Sequence, residues 1–282
     1  MSTVDLHIHT TASDGQLSPA DIVRKSAELG LTTIALSDHD TVDGIALALE
    51  ATKAFPQLRV IPSIEISTDV PTGEVHVLGY FIDYTDHELL VRLEKMRNSR
   101  RERAQKMIAK LGKLDVDIEW PRVQEIAGDG SIGRPHIAQA MLEKGYIASF
   151  KEAFDKYIGR NGPAYAEREK VTPVEAVELI IRANGLPVMA HPLSTNDFET
   201  MIFELKAAGM VGIEAYYNSY TADEIKDLVS LANQHHLITS GGSDYHGIDT
   251  NPETMIGGAD VPVESAEQLI ALARLRGLKL AL

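Results

Sequence analysis

The feature that most constrains this chain is a repeating alternation of short apolar runs with helix-like segments, most of the runs ending in a histidine or an acid. "VDLHIH", "TTIALSDHD", "RVIPSIEIS" and "EVHVLGYF" read as strands in the first hundred residues. Between the first three lie "SPADIVRKSAELG", with a Ser cap, an early Pro and a closing Gly, and "VDGIALALEATKAF". Such punctuation marks helices, and strands alternating with helices predict parallel β/α units. The pattern resumes later with a helix near Pro173 to Asn184, "PVMAHP", a helix, "VGIEAYY", a helix and "LITSGGSDYHG". At 282 residues, 44% of them hydrophobic, the chain is long enough for one α/β barrel or two small domains.

In a β/α barrel the carboxyl ends of all strands meet on one face, where active sites sit. His7 and His9 lie two apart on the first strand and so share a side. One such pair is equally the mark of two hydrogen-bonded core histidines, and the later strand ends decide between the readings. Together they supply His7, His9, Asp14, His39, Glu65, His76, His191, Asp244 and His246. Nine His and carboxylate groups crowded on one rim need cations to offset repulsion and desolvation, which points to a polynuclear metal site. With no cysteine, disulfides and thiolate ligands are excluded, and any metal is held by imidazole and carboxylate. The net charge of −14 argues against a broad electrostatic grip on nucleic acid. No signal peptide or membrane span is evident, so a cytoplasmic protein, monomeric or a small homo-oligomer, is expected.

The strand pattern lapses between 97 and 166, where "RNSRRERAQKMIAKLGKL", "WPRVQEIAG", "GRPHIAQAMLEKG" and "FKEAFDKYIG" read as successive helices. This predicts a helical cap inserted between barrel segments 1–96 and 167–282, and substrate choice is expected to lie there. Most of its basic run, from Arg97 to Lys106, suits a solvated helix face. In "DGSIGRPHIA" a Gly-containing turn precedes a helix, so an anion could meet backbone N–H groups, Arg134 and His136 together. "YIGRNGPAY" offers Arg160, equally readable as a plain structural turn, and Arg103 is a further candidate. His87, His235 and His236 lie in polar helical stretches and are expected to face solvent; Asp38 and Asp40 are expected to orient His39 or a neighbouring loop.

The ordered set "HIHTTASDG", "SDHDT", "IEIS", "EVHVLGY", "AHP" and "GSDYHG" resembles the polymerase and histidinol phosphatase (PHP) family of the amidohydrolase superfamily. The resemblance implies an α/β fold, a distorted (β/α)7 TIM-like barrel, and a centre of two to three divalent ions. It implies that His7, His9, Glu65 and Asp244 hold one ion. Glu65, His76 and His191 would hold a second, with Glu65 bridging, and Asp14, His39 and His246 a third. Glu65, Asp14, His39 and His246 then carry the catalysis. Mn²⁺ is favoured on the resemblance, and Fe²⁺ or Zn²⁺ suits the same donors. Within the family, "GRPHIA" and the complete donor set look most like the branch that removes the 3'-phosphate of nucleoside 3',5'-bisphosphates. Some relatives of that branch also shorten RNA from a 5'-phosphorylated end. A histidinol-phosphate phosphatase and a non-catalytic regulatory barrel are the alternatives.

Overall fold

The computed structural model describes residues 3–70, 73–167, 171–247 and 255–280. The chain divides into two compact units, one formed by Met1–Leu90 with Val171–Leu282 and the other by Val91–Lys170.

The first unit is built on seven strands: β1 (Val4–Ile8), β2 (Thr33–Leu36), β3 (Arg59–Val70), β4 (Gly73–Tyr80), β5 (Leu186–Met189), β6 (Gly212–Tyr217) and β7 (Ile238–Gly242), hydrogen-bonded in that order. The sheet curls into a nearly closed barrel. Its seam is a single parallel bridge between Ile8 and Tyr245, with the His9 N–H donating to the Tyr245 carbonyl at 3.0 Å. Asp5 reinforces the seam: its carboxylate accepts from the Ser243 amide and hydroxyl and from the Gly257 amide.

β1, β2 and β3 run parallel, as do β5, β6 and β7. β4 is antiparallel to both neighbours and forms an eight-pair ladder with β3 from Ser63↔Tyr80 to Val70↔Gly73. The parallel pattern expected from the sequence fails here for a physical reason: residues 71–72 are too few for the crossover that a parallel pair requires. This is the distortion in the barrel.

The expected helices form around the strands. In α1 (Pro19–Glu28) the Ser18 hydroxyl accepts from the Asp21 amide, and Pro19 occupies the first turn. α2 (Ile45–Thr52) leads to β3. α7 (Pro173–Arg182) and α9 (Ala222–Gln234) start with reciprocal capping boxes, Thr172 with Glu175 and Thr221 with Glu224. α8 (Phe198–Ala207) and α10 (Val263–Leu275) complete this unit. Leu269 and Ile270 of α10 pack with Val4, Ile61, Leu78 and Val188 of the strands. Each large side chain buried there contributes about 1.5–3 kcal/mol.

α3 (His87–Gly112) starts in the first unit and continues into the second, so the boundary drawn at 97 from composition falls within a continuous helix. The second unit continues with α4 (Trp120–Ala127), α5 (Arg134–Glu143), α6 (Phe150–Ala153) and a π turn at Phe154–Ile158. It has its own core, in which Met107, Leu111, Val123, Ile137, Met141 and Ile158 are buried. Among the described residues no helix is long and apolar enough to cross a membrane.

Candidate metal centre

Six strands or strand ends of the barrel deliver nine donors to one place. β1 contributes His7 and, just past its end, His9. Their Nε2 atoms lie 3.1 Å apart, as the two-residue strand period requires. Glu65 on β3 is fully buried and is the hub. Its Oε2 lies 3.4 Å from His7 Nε2, 3.3 Å from His9 Nε2 and 2.9 Å from His39 Nδ1. Its Oε1 lies 2.8 Å from His76 Nδ1 and 3.1 Å from His191 Nε2. Asp244, after β7, places Oδ1 3.3 Å from His7 Nε2 and 2.9 Å from His9 Nε2. Asp14 lies 3.4 Å from His246 Nε2 and 3.9 Å from His9 Nδ1.

Three sets of donor atoms are close enough to share an ion: His7, His9, Glu65 and Asp244; His9, Asp14, His39 and His246; and His39, Glu65 and His76. The first is the foursome implied by the resemblance. The second adds His9 to the implied trio, and in the third His39 stands where His191 was expected. His191 touches the same Glu65 oxygen as His76 and lies at that edge of the cluster.

The donor chemistry fits divalent cations. His9 Nδ1, Asp14 Oδ1, Glu65 Oε2 and Asp244 Oδ1 are buried and make no hydrogen bond, at a cost that a bound cation would offset. The ionisation pattern agrees. Burial alone would raise the carboxyl groups, but His39 and His246 hold Asp14 well below its ordinary range, and His39, His76 and His7 do the same for Glu65. Burial would lower His9, but the carboxylates of Asp244 and Glu65 beside its ring push it up to about 10. His7 is likewise raised well above its usual value, burial being outweighed by Glu214, Asp244 and Glu65. Protons thus occupy positions that a cation would take.

Two backbone positions in the left-handed region aim donors inward: His191, at φ 25°, and Asp244, at φ 49°. Such conformations persist in non-glycine residues where the surroundings over-determine them, as at functional sites. Tyr217 donates to Asp244 Oδ2 at 2.8 Å; burial raises its phenol far above the normal range, so the proton is always there to donate. Asp38 accepts from Thr10 and Ser13, and Asp40 from the Ser67 amide; both fasten loops around the donors.

Beside the donors lies a cavity of about 530 Å³. It is lined by the donors His39, Glu65, His76, His191 and Asp244 and by Leu193, Tyr217, Tyr220 and Glu224. The Tyr217 ring stands 5.6 Å from His191 and 5.0 Å from Tyr220, centre to centre, so an aromatic row leads away from the donors. Sequence reasoning named neither tyrosine, and it passed over Glu214 in "VGIEAYY", an acid in an apolar strand being the one available signal.

The residues expected to hold phosphate lie in the helical unit, and each has a neighbour there. Arg103 donates through Nε to the Ala166 carbonyl at 2.9 Å and stacks 5.1 Å over the Tyr165 ring. Arg134 lies 5.3 Å over Phe154. His136 Nδ1 accepts the Gly133 N–H at 2.9 Å, so that amide caps α5 through the histidine. Arg160 sits half-buried in the turn after the π segment.

A barrel rim that gathers buried imidazoles and carboxylates with unsatisfied oxygens defines a hydrolase of the metal-dependent barrel class. The chain belongs to the PHP family, as a metal-dependent phosphoesterase: a PHP domain matches residues 5–158. It is 33% identical over 247 residues to the 5'-3' exoribonuclease Rnm of Escherichia coli, covering 86% of this chain and 84% of that one. It is 31% identical over 258 residues to the 3',5'-nucleoside bisphosphate phosphatase of Chromobacterium violaceum, covering 87% and 88%. A crystal structure from Bifidobacterium adolescentis, assigned to the metal-dependent phosphoesterases, superposes with a TM-score of 0.88 at 26% identity and covers 98% of this chain and 97% of its own.

Proposed function

We propose that this protein hydrolyses the 3'-phosphate of nucleoside 3',5'-bisphosphates, leaving a nucleoside 5'-monophosphate and phosphate. The observation that carries the reading is the cavity, whose lining combines metal donors with Tyr217 and Tyr220. A phosphate at the donors leaves its nucleoside near the tyrosines, whose aromatic faces suit a sugar and base. Glu224 lines the cavity too, and its charge disfavours a second phosphate there.

His7, His9, Glu65 and Asp244 would hold one ion, Glu65, His76 and His191 a second, and Asp14, His39 and His246 a third, with Mn²⁺ the expected metal and Fe²⁺ or Zn²⁺ suited to the same donors. When bound, such ions neutralise charge on the phosphoryl oxygens and make water acidic enough to attack phosphorus. The chain's own part is to hold the donors rigid: Tyr217 on Asp244, Ser194 on His191 Nδ1 at 2.8 Å, and Ser67 on His39 Nδ1 at 3.2 Å. In this reading Arg134, with His136, Arg103 or Arg160, holds the phosphate that is not cleaved.

The identity to the E. coli exoribonuclease favours one other reading, trimming of short RNA from a 5'-phosphorylated end. The charge of −14 works against a long RNA footprint but not against a short one. Phosphate release by Mn²⁺-loaded protein separates these. The panel is a nucleoside 3',5'-bisphosphate, 3'- and 5'-monophosphates, histidinol phosphate and a 5'-phosphorylated oligoribonucleotide. The bisphosphate is expected to show the highest kcat/KM. Preference for the oligonucleotide would replace the first reading with the second, and no hydrolysis of any of them would overturn both.

A further inference from the structure

Glu214 lies on β6, fully buried, and belongs to none of the donor sets. Both of its oxygens are engaged. Oε1 is 3.0 Å from His7 Nδ1, and Oε2 accepts the backbone N–H of His191 at 2.7 Å. The first contact leaves Nε2 as the His7 atom facing Asp244 and Glu65. The second holds a main chain that sits at φ 25°, where a non-glycine residue rests only if its neighbours keep it there. One carboxylate therefore supports two donors that lie far apart in the sequence.

We infer that Glu214 is a positioning residue for the metal centre, fixing the His7 proton on Nδ1 so that Nε2 is left to bind, and pinning the turn that presents His191. A carboxylate only accepts, so the ring nitrogen 3.0 Å away must be the donor, and in a neutral imidazole the other nitrogen is then a bare acceptor. A carboxylate behind a ligating histidine also raises the basicity of the ligand, and losing such a partner weakens metal affinity about ten- to a hundredfold. Glutamine cannot substitute. Its one oxygen satisfies either His7 or the His191 amide, and its NH₂ then faces the remaining group. If that group is His7, the ring must turn an N–H toward the cluster. The inference rests on the reading of His7 and His191 as metal donors.

The test is titration of the metal-free, full-length protein with Zn²⁺ against a competing chelator, for wild type, Glu214→Gln and Tyr80→Phe. Tyr80 is an equally buried control whose hydroxyl bonds the Leu6 carbonyl and Ser240 and none of the donor side chains. Glu214→Gln should weaken at least one Zn²⁺ equivalent about ten- to a hundredfold, and Tyr80→Phe none. In the Zn²⁺-loaded wild type, ¹H–¹⁵N spectra should show an exchange-protected ring proton on His7 Nδ1. This second readout needs no variant and decides the matter if Glu214→Gln fails to fold. A His7 proton on Nε2, unchanged Zn²⁺ affinity in Glu214→Gln, or equal weakening in Tyr80→Phe would each overturn the inference. If wild type binds no Zn²⁺, the donor set itself is wrong and the inference falls with it. If wild type binds and Glu214→Gln binds equally well, the donor set stands and only the role of Glu214 fails.

Discussion

At the barrel rim three carboxylates and six imidazoles share a nearly closed space, and four of their buried polar atoms make no hydrogen bond. In the helical unit the polar side chains lie against chain of the same unit: Arg103 on Ala166 and Tyr165, Arg134 over Phe154, and His136 on Gly133. The two arrangements differ in what they cost. Buried charge without full hydrogen bonding is expensive, so the rim is explicable only by something that binds there. The helical contacts draw on carbonyl, ring and amide partners within the same unit. A site can therefore be recognised in proportion to the energetic penalty its groups would carry without a ligand.

Removing metal should produce the largest effect. Chelation is expected to lower phosphoester hydrolysis about a thousandfold or more, the loss of several kcal/mol of charge stabilisation, and Mn²⁺ should restore it. Phosphate-release assays before and after chelation measure this, and full activity in metal-free protein would remove the contrast altogether. Next in size is Glu65→Gln, which keeps the shape of the hub but not its charge. We expect kcat to fall about a hundredfold or more with at least one metal equivalent lost, while thermal unfolding stays cooperative because the change is at the rim. Near-normal turnover would show that the hub is not a bridge.

Arg134→Ala addresses the other side of the comparison. If Arg134 reads a second phosphate, kcat/KM for a bisphosphate should fall roughly ten- to a hundredfold while an aryl monophosphate changes little. Equal losses on both substrates would move Arg134 to the reacting phosphate, and no loss would leave it a purely structural partner of Phe154. The smallest effect concerns protons. His9 is raised to about 10 and His7 in the same direction, so the pair holds a proton near pH 7 in metal-free protein that metal binding must displace. Metal loading should then release protons, and apparent affinity should climb as pH rises from 6.5 toward 10. Calorimetric titrations in buffers of different ionisation enthalpy test this; a buffer-independent heat would contradict it.

The same difference in cost explains what could be read beforehand. Histidines and acids on or just after β1, β2, β5 and β7 stand out because apolar strands rarely carry them, and parallel strands bring their carboxyl ends to one face. Glu214 carries the same kind of signal, but a single acid inside "GIEAYY" has no periodic companion to mark it. The antiparallel β4 was hidden because strand propensity is silent about direction; only the short link after Val70 spoke to it. The unit boundary was hidden for another reason. α3 runs 26 residues with no Pro and no Gly before Gly112, so nothing in its sequence records where one unit gives way to the next. Arg103 and Arg134 read as surface charge or anion holders because their carbonyl and ring partners are set by tertiary packing.

The seam between Ile8 and Tyr245 has a consequence for how the protein is made. The first donor set joins His7 and His9 to Asp244, more than two hundred residues further along the chain. A nascent chain halted before β7 lacks Asp244 and His246, so its first donor set has no partner across the seam. The centre is thus a late product of folding, and a cation that binds it cross-links the first strand to the last, closing a loop of more than two hundred residues in a protein without a single cysteine to do so.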